Sequence, residues 1–242
     1  MEGLILAAGL GKRLKSLTVN QPKALVSVGG VTLLERTIHR MEEIGVTHIV
    51  VNVHHSADMI VDTIRQNQWQ ATVSISDERA LLLGTGGALR HAAPLFSGNE
   101  DILVHNVDIL SDIDLCDVER KHREEGNLVT LCVSKRDSKR LLAFDADGRL
   151  VDRAESLPPT TGTRSLVDLA FSGISVLSPE LFSLLPEDDH PYEIIDEYIR
   201  LSREGYRIGT YLHSGDEKHW TDVGKPDTLE KAQQQWTVSS DK

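Results

Sequence analysis

The chain opens with a short apolar run, Gly3 to Ala8, which reads as a strand buried on both faces. From Thr32 to Ile44 the apolar positions Leu33, Leu34, Thr37, Ile38 and Met41 recur at three- and four-residue steps. That spacing predicts an amphipathic helix stopped by Gly45. Thr47–Val53 is a β-branched strand, and Ser56 is placed to cap a helix with Met59, Ile60, Thr63 and Ile64 on one face. Ala71–Ile75 follows as a strand, Thr85–Phe96 as a helix and Asp101–His105 as a strand. Asp114 then caps a helix that runs to Glu125. Strands alternate with helices and are apolar on both faces, the pattern of a parallel sheet covered on two sides. In such a sheet ligands bind at the carboxyl ends of the strands.

Beyond Gly126 the rhythm changes. Leu128–Ser134, Leu141–Asp145, Leu150–Arg153 and Val167–Leu177 are strand-like with short links, and Asp147-Gly148 is a hairpin turn signal. Pro158 to Gly162 reads as a loop, and Ser178-Pro179-Glu180 as the start of a short helix. A helix over Tyr192–Glu204, strands at Tyr206–Leu212 and His219–Val223, and a last helix from Pro226 to about Trp236 complete the pattern. The predicted fold is α/β, a Rossmann-like mixed and mostly parallel sheet flanked by helices, with a smaller C-terminal β part. It reads as one domain over residues 1–242, with residues 1–125 as a nucleotide half, 126–236 as a sugar half and 237–242 as a tail.

Composition narrows the function classes. The formal net charge is −11, from 26 basic and 37 acidic residues, which argues against nucleic-acid and membrane partners. Cys116 and Cys132 lack metal-type spacing and fit a reducing compartment without a disulfide. The first apolar run is too short for a membrane span and lacks a basic segment before it, so a cytoplasmic setting is expected.

Charge distribution then singles out the beginning of the chain. No acidic residue occurs between Glu2 and Glu35, although the chain's average acid density would place about five there. Inside that window Gly9-Leu10-Gly11 follows the first strand, with Lys12, Arg13 and Lys15 next and Pro22-Lys23 further on. A dinucleotide fingerprint would need a third glycine where Leu14 stands, and a P-loop would need Ser or Thr where Arg13 stands. What remains is a glycine turn whose N–H groups can wrap phosphate oxygens, a guanidinium able to grip two of them, and a lysine point charge. The same spacing fits a tight turn with solvated basic residues, and spacing alone leaves both readings open.

The stretch LAAGLGKRLKSLT followed by Pro22-Lys23 resembles the signature of the sugar-1-phosphate nucleotidylyltransferases, also called NDP-sugar pyrophosphorylases. Four further motifs resemble that family in its order: Leu83-Gly84-Thr85-Gly86-Gly87-Ala88, Asn106-Val107-Asp108, Phe171-Ser172-Gly173-Ile174, and Trp220-Thr221-Asp222-Val223-Gly224. Within the family the chain looks closest to short bacterial enzymes similar to N-acetylmuramate-1-phosphate uridylyltransferase and mannose-1-phosphate guanylyltransferase. The resemblance implies the nucleotide-diphospho-sugar transferase type of fold and an NTP and a sugar 1-phosphate as substrates. UTP or GTP with an N-acetylhexosamine, muramate or mannose-type phosphate is the expected pair, and a homodimer is compatible with it.

The resemblance also implies site roles. Arg13 and Lys23 are the catalytic candidates. Leu6, Ala7, Ala8, Gly9, Gly11, Lys12, Gly84, Thr85, Gly86, Gly87 and Asn106 join them on the nucleotide side, with backbone groups near Ala8, Gly9, Gly86 and Gly87 facing base and ribose. Asp108, Arg140, Glu155, Gly173 and Asp222 fall on the sugar-phosphate side, and Asp108 and Asp222 are the expected Mg²⁺ ligands. Two aspartates at strand ends suit a hard cation that takes its remaining ligands from phosphate and water, although turn-forming Asp is common. Three departures stand out: Ser16 replaces the usual proline, Val107 replaces the glycine before the metal aspartate, and no Glu-Lys-Pro motif is recognisable. Lys139 and Arg140 are the candidates for the missing cation.

Two rival classes remain at this point. Asp112-Ile113-Asp114 has the D-x-D form that metal-dependent glycosyltransferases use. The bulk of Val107 and the missing lysine would also fit a module that binds a sugar nucleotide without making it. Trp220 and Leu81–Leu83 read as packing positions, and His54-His55 point opposite ways in extended chain.

Overall fold

The computed structural model describes residues 1–9, 11, 21–157, 166–187, 190–216 and 219–236. Lys12, Arg13, Lys15, Ser16, the Pro158–Gly162 loop and the tail at 237–242 lie outside these described residues. The first half contains strands β1 (Glu2–Leu6), β2 (Ser27–Val28), β3 (Val31–Thr32), β4 (His48–Val53), β5 (Thr72–Asp77), β6 (Ile102–Asn106) and β7 (Ile109–Ser111). Its helices are α1 (Leu33–Glu43), α2 (Ala57–Gln66), α3 (Gly84–Ala92) and α4 (Leu115–Glu125). The second half adds β8 (Val129–Ser134), β9 (Leu141–Phe144), β10 (Leu150–Arg153), β11 (Val167–Leu177), α5 (Leu181–Leu184), α6 (Ile194–Arg203), β12 (Ile208–His213), β13 (Trp220–Asp222) and α7 (Pro226–Gln235). Among the described residues no helix is long and apolar enough to cross a membrane.

β1 pairs in parallel with β4 on one side and β6 on the other, and β4 continues in parallel to β5. Leu4 and Ile5 are completely buried on opposite sides of the sheet. Ile5, Ile49, Val51 and Leu103 join the cluster containing α1 and α2, whereas Leu4, Val50 and Val104 join the cluster containing α3 and α6. The two-residue period of a strand supplies this split, and it explains why the apolar runs are unbroken rather than alternating.

The sheet does not end with the parallel half. β11 runs antiparallel to β6 over Ile174–Leu177, to β8, and to β9 over Val167–Ala170. β12 then pairs in parallel with β8, and β10 runs antiparallel to β9. The result, among the described residues, is one nine-stranded mixed sheet, with small ribbons β2–β3 and β7–β13 beside it.

The local signals fared unequally. Thr32 and Glu35 close a reciprocal capping box on α1, and Asp114 accepts from Asp117 N–H at 3.0 Å to cap α4. Ser56 does not cap α2: its backbone is left-handed, φ 55°, and its side chain makes no capping bond. Ser178 does not cap α5, whose N-cap is Glu180 and which has no side-chain capping bond; the Ser178 hydroxyl donates to Asn127 O at 3.0 Å. Lys23–Leu25 forms a 3₁₀ turn, and strand β7 directly after Asp108 was not foreseen.

Candidate active site

β1, β4 and β6 finish level with one another, Leu6 standing opposite Asn52 and Asn106. The chain beyond β1 is held there by Asn52. Its Oδ1 accepts from Ala7 N–H at 2.6 Å and Ala8 N–H at 3.2 Å, and its Nδ2 donates to Glu78 Oε1 at 2.8 Å. Glu78 Oε2 accepts in turn from Leu83 N–H at 3.3 Å. Asn52 and Glu78 are only 3 % and 2 % exposed. Burial pushes the Glu78 carboxyl above its ordinary value, with the bonds from Asn52 and Leu83 pulling the other way. The Ala7 and Ala8 amides are thus engaged by Asn52, while both residues line the cavity. Sequence reading missed both Asn52 and Glu78. The only trace is a polar residue near the end of a β-branched strand and a carboxylate just past another.

The glycine stretch at α3 is clamped from the second half of the chain. Gly86 N–H donates to Tyr192 O at 2.9 Å, and Tyr192 N–H donates to Leu83 O at 3.1 Å. Thr85 Oγ1 donates to Glu193 Oε2 at 2.8 Å and accepts from Ile194 N–H at 3.0 Å. Gly84 has φ +70°, and a Cβ there would lie 2.6 Å from Tyr192 O, so only glycine fits this approach. Gly86 and Gly87 are buried against Tyr192 and Leu83 and are not among the residues that line the cavity. Their smallness serves the clamp.

Lys23 opens the 3₁₀ turn after Pro22, and its side chain is 8 % exposed. Its ammonium pairs with Asp108 and lies 3.9 Å from Asp222 Oδ1. The two aspartates are brought together by the β7–β13 ribbon, in which Asp222 stands opposite Ile109 and Val223 N–H donates to Asp108 O at 3.0 Å. Asp222 also accepts from Gly224 N–H at 2.7 Å. Both carboxylates therefore converge on one point that already attracts a cation. A hard divalent ion fits this donor set, with phosphate and water completing the shell. Among the described residues no three His, Cys, Asp or Glu side chains gather for an all-protein metal cage.

Gly173 has φ +77°, and a Cβ there would lie 2.8 Å from Ile109 Cγ1 and 2.9 Å from Asn106 Nδ2. It occupies the irregular step between Phe171 and Ser175 in the pairing of β11 with β8. Arg140 and Glu155 are exposed, the first just before β9 and the second in the turn after β10. The expected D-x-D is otherwise engaged: Asp112 pairs with His219, and Asp114 caps α4.

Between these parts lies a cavity of about 420 Å³. Of the expected residues, Leu6, Ala7, Ala8, Gly9 and Gly11 line it, as do Lys23, Gly84, Thr85, Asn106 and Asp108. Arg140, Glu155, Gly173 and Asp222 do not. Asn52, Glu78, Glu193 and Leu82 line it without having been foreseen as site residues.

The chain is similar to known proteins. The N-acetylmuramate alpha-1-phosphate uridylyltransferase of Caulobacter vibrioides is 29 % identical over 236 residues, an alignment covering 92 % of this chain and 91 % of that one. The mannose-1-phosphate guanyltransferase of Kluyveromyces lactis is 31 % identical over 233 residues, with 93 % of this chain and 62 % of that longer one covered. The solved structure of an inositol-1-phosphate CTP transferase from T. maritima superposes with a TM-score of 0.79 at 17 % identity, covering 99 % of this chain and 96 % of that one. The profile of the family described as nucleotidyl transferase matches residues 2–239, and the chain belongs to that family.

Proposed function

We propose that the protein joins an NTP to a sugar 1-phosphate, giving an NDP-sugar and pyrophosphate. The observation that carries this reading is the meeting of Lys23, Asp108 and Asp222 beside a cavity walled by the β1 and α3 ends. A phosphate oxygen of the sugar 1-phosphate attacks the α-phosphorus of the NTP in line, and the bond to the pyrophosphate oxygen breaks. Both reactants are anions, so the protein's task is to hold them together and offset their charge. Lys23 steadies the phosphate charge in the transition state, and Arg13 neutralises the departing pyrophosphate. Asp108 and Asp222 would hold Mg²⁺, which when bound supplies Lewis-acid stabilisation of the phosphates. No protein nucleophile is required.

UTP or GTP with a muramate, N-acetylhexosamine or mannose-type 1-phosphate is the favoured pair, in keeping with the named relatives. The product suits cell-wall or polysaccharide precursors, and the setting is cytoplasmic. The test is a grid of NTPs against these sugar phosphates with Mg²⁺, read by pyrophosphate release. Release of UDP or GDP without pyrophosphate would instead identify a glycosyltransferase, and tight NDP-sugar binding with no turnover a sensor. In the active pair, Lys23→Ala should lower kcat about 10²- to 10³-fold, the cost of losing one preorganised charge stabiliser. Near wild-type turnover at saturating substrates would remove Lys23 from the mechanism.

A further inference from the structure

Lys23 is the one cation lining the cavity among the described residues, and Asp108 already engages it. A phosphate monoester approaching Asp108 and Asp222 meets two carboxylates, so it needs positive charge from elsewhere. Arg136, just past β8, offers it. The first of its terminal nitrogens donates to Ser134 Oγ at 2.9 Å, to Ala170 O at 2.9 Å and to Ser172 Oγ at 3.3 Å. The second donates to Phe171 O at 2.6 Å. The guanidinium carbon lies 4.0 Å from the centre of the Trp220 ring, and Trp220 Nε1–H donates to Ser172 O at 2.8 Å. All these partners are neutral, and among the described residues Arg136 forms no ion pair.

The adjacent His213 adds no charge. His213 Nδ1 accepts from Gly215 N–H at 3.2 Å, which leaves Nε2 protonated to donate to Ser172 Oγ at 2.7 Å. Burial and the adjacent Arg136 push His213 down to about 4, so it is neutral near pH 7. Burial also pulls Arg136 below its ordinary value, while Asp222 acts in the opposite direction. The location is on the sugar side. Ser172 immediately precedes Gly173, which packs against Asn106, and Trp220 shares a face of β13 with Asp222 two residues on. Fixed by neutral acceptors and one aromatic face, the guanidinium keeps its charge and part of its donor fork for a ligand.

We propose that Arg136, outside the cavity lining but stacked on Trp220 two residues before Asp222, binds the phosphate monoester of the sugar 1-phosphate. This rests on the nucleotidyl-transfer reading above. The test is steady-state kinetics on wild type, R136Q and R136K, with mannose 1-phosphate, N-acetylmuramate 1-phosphate or whichever sugar phosphate in the grid the wild type uses. R136Q should raise KM for the sugar phosphate about tenfold or more while KM for the NTP stays within about twofold, and R136K should recover much of the loss. If R136Q does not fold, R136K carries the test through a smaller, still selective rise of about threefold. An unchanged sugar-phosphate KM, or equal rises in both KM values with a lowered Tm, would reduce Arg136 to a tie between β8 and β11. A wild type that releases no pyrophosphate anywhere in the grid overturns the proposed function and this inference with it. An active wild type with an insensitive R136Q overturns only the inference.

Discussion

Asn52 and Glu78 join the two sides of the cavity through their side chains. Lys23 and Asp108 could be picked out from the sequence because they sit in motifs or in an acid-free window. Asn52 and Glu78 could not, because what makes them important is the parallel pairing of β1, β4 and β5, a long-range fact. The raised pKa of Glu78 has a measurable consequence. In the unfolded chain this carboxyl ionises near 4.5, and in the fold it ionises at a higher pH. Its contribution to stability is therefore fully present below pH 4.5 and is lost as pH rises through the folded value. Glu78→Gln removes that dependence while keeping a carbonyl acceptor and the size of the side chain. The Tm of the variant minus that of wild type should stay flat below pH 4.5 and become steadily more positive toward neutrality. A pH-independent difference would mean that Glu78 ionises in the fold as it does in the unfolded chain.

At the level of elements, the start of α3 and the start of α6 cap each other. α6 has no side-chain cap of its own at Glu193. The hydroxyl of Thr85 takes that place, accepting from Ile194 N–H while donating to Glu193. Caps within a single segment, such as Thr32 with Glu35, were legible because three residues of sequence contain the whole device. The Thr85 cap was not, since its two halves lie more than a hundred positions apart. The strand at Trp220–Asp222 was legible, but its partner β7 was hidden for the same reason: a three-residue strand has no periodicity and exists because the other is there. Thr85→Val keeps the shape and removes the hydroxyl, which should cost about 1 kcal/mol, as for a lost helix cap. Hydrogen exchange at the Gly86 and Ile194 amides should accelerate, and KM for the NTP should rise as the clamp loosens. Unaltered protection of both amides would show that the Gly86–Tyr192 backbone bonds hold the clamp alone.

For the molecule as a whole, the strand–helix alternation and doubly buried strands made the α/β class legible, while the way the second half attaches was not. A division near residue 126 is natural from composition, because the strand–helix rhythm stops there. Yet β11 lies between β6 of the first half and β8 of the second, and α7 returns to β2, with Gln233 Nε2 donating to Ser27 O at 2.6 Å and Gln233 Oε1 accepting from Gly29 N–H at 3.2 Å. The aspartate pair is itself split across the halves, Asp108 from the first and Asp222 from the second. Opening the seam would break the β6–β11 ladder, bury nothing in return and pull the site apart. Chains above about 150 residues often unfold through intermediates, so a single transition here would be informative. The continuous sheet predicts one: urea melts followed by far-UV circular dichroism, by fluorescence of a variant keeping only Trp69, and by fluorescence of one keeping only Trp220 should share a midpoint. Separated midpoints would mean that the halves fold as independent units, with the two aspartates meeting only after they dock.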